Sequence, residues 1–528
     1  MTVDNKPAID LSLAGLTGTS AIAGPPPAQE SDILETQPTN TSDGDYGARP
    51  PYFQSTFKEC LFVLTTTVAV GQSSIFGGAI LTMTASISKS LHMTDAELTW
   101  LWAAQNLAGG AFLLLFGRVA DLFGRRWMLV ASLGSYAVVL LVAGFATSAV
   151  YADVMSGLLG VCAAAAVPPA IGKLGAVYAQ PSWRKNRAFA CFSAGYPVGF
   201  VLGAFIAGVA TQVSSWRAAL WTMSVVFGGF TILALWTVPK DEEQQLSIGW
   251  RTWREFDVLG ALLTVAGIGM FTASFTLTGD APKGWAQEYV IVLLVLGAVC
   301  VAAFLWWQAV CKTPLMPLRV FRDKNFSILL TVLSLGNMSF AGNLFWITLL
   351  WQRIERQSPL QVAVRLLPSG MGGILVNITA GFIMHRVSNK LLMVIASISM
   401  AVASSLWSAT GPDLSYWDLS FVAQICSVIG VDFMFTVTNM YVMSSLPAHQ
   451  QSIAGGIFNT VTRLVSTVGL AVQTAVYNGA GGASEGPDSL RYRPYQATVW
   501  VSLAGTCIGL ALVPWLTLGT QGHRKKVS

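Results

Sequence analysis

Three ionisable side chains, Lys173, Asp432 and Arg463, interrupt long apolar stretches of this sequence. Charge is costly in an apolar medium, so residues of this kind are kept for pairing, ion movement or ligand contact. Asp432 lies 14 residues before the polar segment at 446–450, and Arg463 lies 13 residues after it. At ~1.5 Å of helical rise per residue the two sit within about 2 Å of the same depth. That predicts either an ion pair between them or a carboxyl group that takes and releases a proton as its surroundings change. Lys173 stands about seven residues from the end of its apolar segment, near enough for its stem to carry the ammonium to water.

Other groups on apolar segments, Gln72, Asn106, Asn337, Asn343 and Trp346, are candidates to line a cavity for an amphipathic small molecule. A further cluster is Gly117, Asp121, Gly124, Arg125 and Arg126. Its glycines predict a tight turn with close backbone approach. Its carboxylate can meet a helix N-terminus or an arginine in one conformation and part from it in another. The run Gly195, Pro197, Gly199, Gly203 and Gly208 spaces small residues for close helix packing, and Pro197 removes one backbone hydrogen bond.

The elements that must hold these residues follow from composition. Of 528 residues, 53% are hydrophobic and only 11% charged, against about 25% charge in soluble domains. A soluble chain is excluded. The apolar runs are too long for the alternating strands of an outer-membrane barrel, which leaves a helical membrane protein. Segments of about 20 apolar residues, enough for a ~30 Å core, recur at 60–82, 98–116, 127–147, 153–178, 189–211, 218–238, 257–277, 289–309, 327–350, 364–384, 391–410, 419–442, 453–476 and 496–517. Fourteen crossings are predicted. With the N-terminus in the cytosol, the cytosolic segments and both tails hold 21 basic residues and the other side seven, as the positive-inside rule requires. Both termini are then cytosolic.

Residues 1–55, with Pro25, Pro26 and Pro27 among many Ser, Thr, Asp and Glu, read as a disordered tail and lack the pattern of a secretory signal. The seven cysteines fall in helices or near cytosolic ends, which predicts no disulfide framework. His92, His385, His449 and His523 lie in loops or at helix ends, so neither a haem nor a zinc site is expected. The net charge of +5 gives no reason to expect nucleic acid. No phosphate-binding loop or nucleophile–base set is visible, so no enzyme activity and no cofactor are expected.

The chain also repeats itself. GRVADLFGRRWMLV at 117–130 matches GFIMHRVSNKLLMV at 381–394 at an offset of 264, and PSWRKNRAFACF at 181 matches PAHQQSIAGGIF at 447 at an offset of 266. A duplicated six-helix unit is implied, at 56–240 and 326–517, with two linker helices in 241–325 and a short tail at 518–528. Parallel repeats of this kind are a plan of secondary transporters.

GRVADLFGRR resembles the loop signature G-x-x-x-D-x-x-G-R-R of the major facilitator superfamily. With fourteen helices, and with FKECLFVL, SAGYPVGFVLG, VIGVDFMF and SSLPAHQQSIAGGIFNTV in support, residues 55–517 resemble the fungal drug:proton antiporters of the aminotriazole-resistance type. The stretch after the sixth helix, VPKDEEQ, is unlike that of sugar porters. The resemblance implies an all-α membrane protein of major facilitator fold. It implies a conformational latch in the Gly117–Arg126 cluster and an antiporter motif around Pro197, where Tyr196 stands between glycine and proline. It also implies export of a drug, toxin or secondary metabolite in exchange for protons, by a monomer in the plasma membrane, with the vacuolar membrane as the other possibility. Uptake of a small cation or ammonium-type solute is the alternative function. The family's usual charged groups in the first and fourth helices are replaced by Gln72, Ser156 and Leu159. A proton-carrying group must therefore lie elsewhere, and Asp432 is the leading candidate.

Overall fold

A computed structural model describes residues 49–178, 183–241, 257–278, 281–311, 314, 318–383, 387–412, 414–445, 451–482 and 488–518. Among them there are fourteen helices of 19 residues or more and no strand. The first six are α1 (Thr56–Leu91), α2 (Asp95–Phe123), α3 (Arg125–Ala143), α4 (Ala149–Val177), α5 (Trp183–Val213) and α6 (Trp216–Thr237). Two more follow, α7 (Val258–Leu277) and α8 (Glu288–Val310). The last six are α9 (Lys324–Arg353), α10 (Pro359–Ile383), α11 (Asn389–Ser408), α12 (Phe421–Ser445), α13 (Gln451–Gly479) and α14 (Asp488–Leu512).

Short polar side chains start many of these helices, because the first N–H groups have no intrahelical partner. Ser55, Ser148, Ser215, Asp257, Asp323 and Ser388 each accept a hydrogen bond from a first-turn N–H, and Thr94 forms a reciprocal box with Glu97. Several helices outrun their apolar segments; α1 has 36 residues, about 54 Å at 1.5 Å each, so its ends project beyond a ~30 Å core.

Among the described residues, twelve of the fourteen helices are long and apolar enough to cross a membrane by length and composition. The chain is a multi-pass membrane protein. The other two, α2 and α13, carry polar residues within their apolar runs: Gln105 and Asn106 in the first, and Asn459, Arg463 and Gln473 in the second.

Those two polar helices pack against one another. Helices α1–α6 associate among themselves, as do α9–α14, and the sets meet where α2 touches α13 and where α5 touches α10. Second helix meets fifth in both seams, the reciprocal contact expected of a duplicated unit. Helix α7 rests on both α2 and α13, with the Trp100 indole N–H donating to Thr276 Oγ1 at 3.0 Å. Helix α8 pairs with α7 through Gly267 and Gly297; a Cβ at Gly297 would stand 2.6 Å from the backbone N of Phe271. The rest of α8 is largely exposed, a surface suited to lipid.

Candidate functional site

Two ends of the bundle can be distinguished by the connections they carry, the α1–α2 turn at one and the α2–α3 turn at the other. At the latter, the predicted turn is shorter than the sequence suggests. Helix α2 continues through Gly117 to Phe123, and Gly124 alone makes the corner, with φ 95° and ψ 130°. Only a residue without Cβ adopts that backbone readily. Gly117 is helical, and a Cβ on it would meet nothing closer than Pro168 at 3.9 Å. No helix breaker precedes Gly124, so the helix runs on. The side chain of Asp121 lies outside the described residues.

Arg125 Nη1 donates to the Gly172 carbonyl at 3.4 Å, while the Arg126 guanidinium donates to the Leu235 carbonyl at 2.7 Å. The Arg126 backbone N–H donates to Asp241 Oδ2 at 3.0 Å, and Asp241 Oδ1 holds the Lys173 ammonium at 2.5 Å. Lys173 therefore does not reach outward to water; it is 5% exposed and also donates to the Lys240 carbonyl at 3.2 Å. One carboxylate joins the starts of α3 and the ends of α4 and α6. Asp241 was legible only as part of VPKDEEQ, and no spacing rule assigns it to a lysine 68 positions away in the chain. Nearby, Glu59 accepts from the Tyr178 hydroxyl at 2.8 Å and from Arg184 at 2.7 Å. Burial, then the Glu59 hydrogen bond, holds the Tyr178 phenol well above its ordinary range, so it stays a donor.

The α5 glycines do pack closely. A Cβ on Gly195 would be 2.6 Å from the Thr67 carbonyl, and one on Gly203 would be 1.8 Å from that of Ile75. Gly199 faces Gly71 in the same α1–α5 contact. Pro197 points the other way, across the seam to α10, where it approaches Gly373.

Asp432 lies at that seam. It is half-buried, its Oδ2 accepts from Asn377 Nδ2 at 3.4 Å, and a Cβ on Gly373 would stand 3.2 Å from both Asp432 Oδ2 and Pro197 Cβ. Arg463 lies at the other seam. Its Nη1 donates to Ser73 Oγ on α1 at 3.2 Å, it lies beside Tyr196 of α5, and its guanidinium packs over Gly109 on α2. The ion pair expected from equal depth does not form. Depth fixes distance along a helix axis but not the direction a side chain points, and α12 and α13 aim these two at opposite seams.

The remaining candidates divide. Gln72 is fully buried, and neither atom of its amide has a partner among the described residues. Asn343 is 1% exposed and donates to Ser404 at 3.1 Å. Trp346 is wholly buried, stacked on Tyr477 at 4.3 Å between centroids with Tyr495 at its edge. These three are interior groups in this conformation, not cavity walls. Asn106 and Asn337 are half-buried; the first bonds to its own helix, and the second donates to Ser466 at 2.8 Å.

At the α1–α2 end, two residues that the sequence did not single out tie the halves together. Arg353 pairs with Asp95 at 2.5 Å and reaches Ser88 at 3.4 Å. Gln352 donates to the Leu81 carbonyl at 2.5 Å and accepts from the Ala85 N–H at 2.8 Å. The α1–α2 end thus carries an ion pair and hydrogen bonds between the halves.

Residues 62–470 match the family model described as Major Facilitator Superfamily. The chain is 27% identical to the "Low affinity ammonium transporter" of Saccharomyces cerevisiae, covering 89% of each. It is 24% identical to "Efflux pump terJ" of Aspergillus terreus, covering 90% of each. It is 25% identical to the "Aminotriazole resistance protein" of Saccharomyces cerevisiae, covering 90% of this chain and 88% of that one. Among solved structures, the nucleoside transporter NupG superposes with a TM-score of 0.57 at 13% identity, over 85% of this chain and 98% of that one.

Proposed function

Because the chain belongs to the major facilitator superfamily, a family of transporters and not of enzymes, we propose that it exports small amphipathic compounds in exchange for protons. The observation that carries this reading is Asp432: a carboxyl group at mid-depth, half-buried, held by one long hydrogen bond from Asn377 and set beside Pro197 across a seam between the halves. Such a group gains or loses its proton as the seam opens or closes. The fungal efflux pump among its relatives supports an outward direction for the cargo.

In this reading the bundles at 56–240 and 326–517 rock about the seams, and 241–325 links them. The α2–α3 end faces the cytosol, with both termini on that side, in the plasma membrane. The turn at Gly124 and the Lys173–Asp241–Arg126 contacts hold that end of the first bundle as a unit. The Arg353–Asp95 pair closes the outer end and must part for release.

Everted vesicles from cells expressing the full chain test the direction. With an inward-acid interior they should accumulate a fluorescent amphipathic dye and release it when the pH gradient is collapsed. A second reading, uptake of a small cation, draws on the ammonium transporter among the relatives. Methylammonium uptake by whole cells, with no dye accumulation in vesicles, would favour it instead.

A further inference from the structure

The seam opposite Asp432 carries a charge for which proton exchange has no task. Arg463 is half-buried at mid-depth, donates to the neutral hydroxyl of Ser73 and lies beside the neutral side chain of Tyr196. Among the described residues no carboxylate lies within 4 Å of it. A guanidinium offers five N–H donors in a planar fork, and these neutral neighbours leave both its charge and part of that fork unmatched. In an apolar surrounding this is an expensive arrangement unless a negative group visits.

We propose that Arg463, on release from Ser73 and beside Tyr196, binds a small anion carried on an apolar or aromatic body, of which an arylcarboxylate is the simplest form. This names a substrate class and rests on the exporter reading. All three side chains are half-buried and so can be approached. The opposite wall is made of Gly109 and Gly110; a Cβ on Gly109 would stand 2.8 Å from Arg463 Nη1, so the bare backbone there makes room for the fork. The Tyr196 ring offers a face for an aromatic body, while a carboxylate matches the fork bidentately.

The site lies between the halves. Ser73 and Tyr196 belong to α1 and α5, and Arg463 to α13. An anion that takes over the fork releases the Ser73 tie, so binding itself favours separation of the halves. A cation is repelled at this point, which opposes the ammonium-type alternative.

Thermal unfolding of the purified full-length chain in detergent micelles tests the assignment, with benzoate as probe and benzylamine as its cationic counterpart of similar size. Benzoate should raise the unfolding midpoint in a saturable way, and benzylamine should not. Arg463→Gln should weaken benzoate binding by about tenfold or more, because a charged, bidentate hydrogen bond is lost. Ser73→Ala, which frees the fork, should tighten it severalfold. Should R463Q fail to fold, Ser73→Ala decides: a purely structural role for Arg463 predicts a lower midpoint with no gain in benzoate affinity. No stabilisation by benzoate, equal stabilisation by benzylamine, or unchanged affinity in R463Q would each overturn the assignment. These are binding measurements without a gradient. If the exporter reading alone is wrong, benzoate binding persists while everted vesicles fail to accumulate dye.

Discussion

The two seams between the halves share a construction and differ in charge. Each joins a second helix to a fifth, and each uses glycine at the contact: Gly373 opposite Pro197 in the α5–α10 seam, and Gly109 and Gly110 opposite Arg463 and Thr460 in the α2–α13 seam. The first holds a carboxyl group beside a side-chain amide, the second a guanidinium beside two hydroxyls. Paired with each other, the two charges would cancel and form a fixed structural link. Held apart on neutral partners, each remains free to answer to something else, a proton in one seam and an anion in the other.

The contrast can be broken from outside the seams. The Arg353–Asp95 pair joins the halves at the α1–α2 end, with the two side chains 22% and 16% exposed. Arg353→Ala leaves Asp95 largely buried and unpaired, which costs about 3 kcal/mol. It should lower the unfolding midpoint and raise labelling of a cysteine placed at Ser88 by an impermeant thiol reagent. Wild-type labelling would mean that the end is held by the Gln352 hydrogen bonds to Leu81 and Ala85 and not by the ion pair.

A smaller effect is expected within the α2–α13 seam. Gly109→Ala puts a methyl group 2.8 Å from Arg463 Nη1. The guanidinium end is able to shift, so overpacking should cost only about 1 kcal/mol. The transport rate should fall for an anionic dye more than for a neutral one. Equal losses for both dyes would indicate a packing fault and leave the two seams alike.

Much of this architecture is readable in the sequence, and for physical reasons. Apolar run length sets the helices, the offset near 264 gives the reciprocal seams, and the Gly195–Gly203 spacing gives the α1–α5 packing. What one dimension withholds is direction around a helix axis and partners distant in the chain. Equal depth suggested that Asp432 and Arg463 meet, yet their helices point them apart. Trp346 looked like a cavity wall and is the centre of an aromatic stack. Asp241 sits after the last apolar residue of α6 and gave no sign that it would take both Lys173 and the Arg126 amide. The two helices of one seam, α2 and α13, keep polar residues within their apolar runs, among them Asn106 and Arg463.

The most direct test compares two modes of transport in one variant. Asp432→Asn keeps the shape and the Asn377 contact but cannot ionise. In everted vesicles it should abolish dye accumulation driven by a pH gradient, while exchange of dye across the membrane without a gradient continues at near the wild-type rate. Normal expression with normal gradient-driven accumulation would contradict the assignment of proton coupling to the α5–α10 seam.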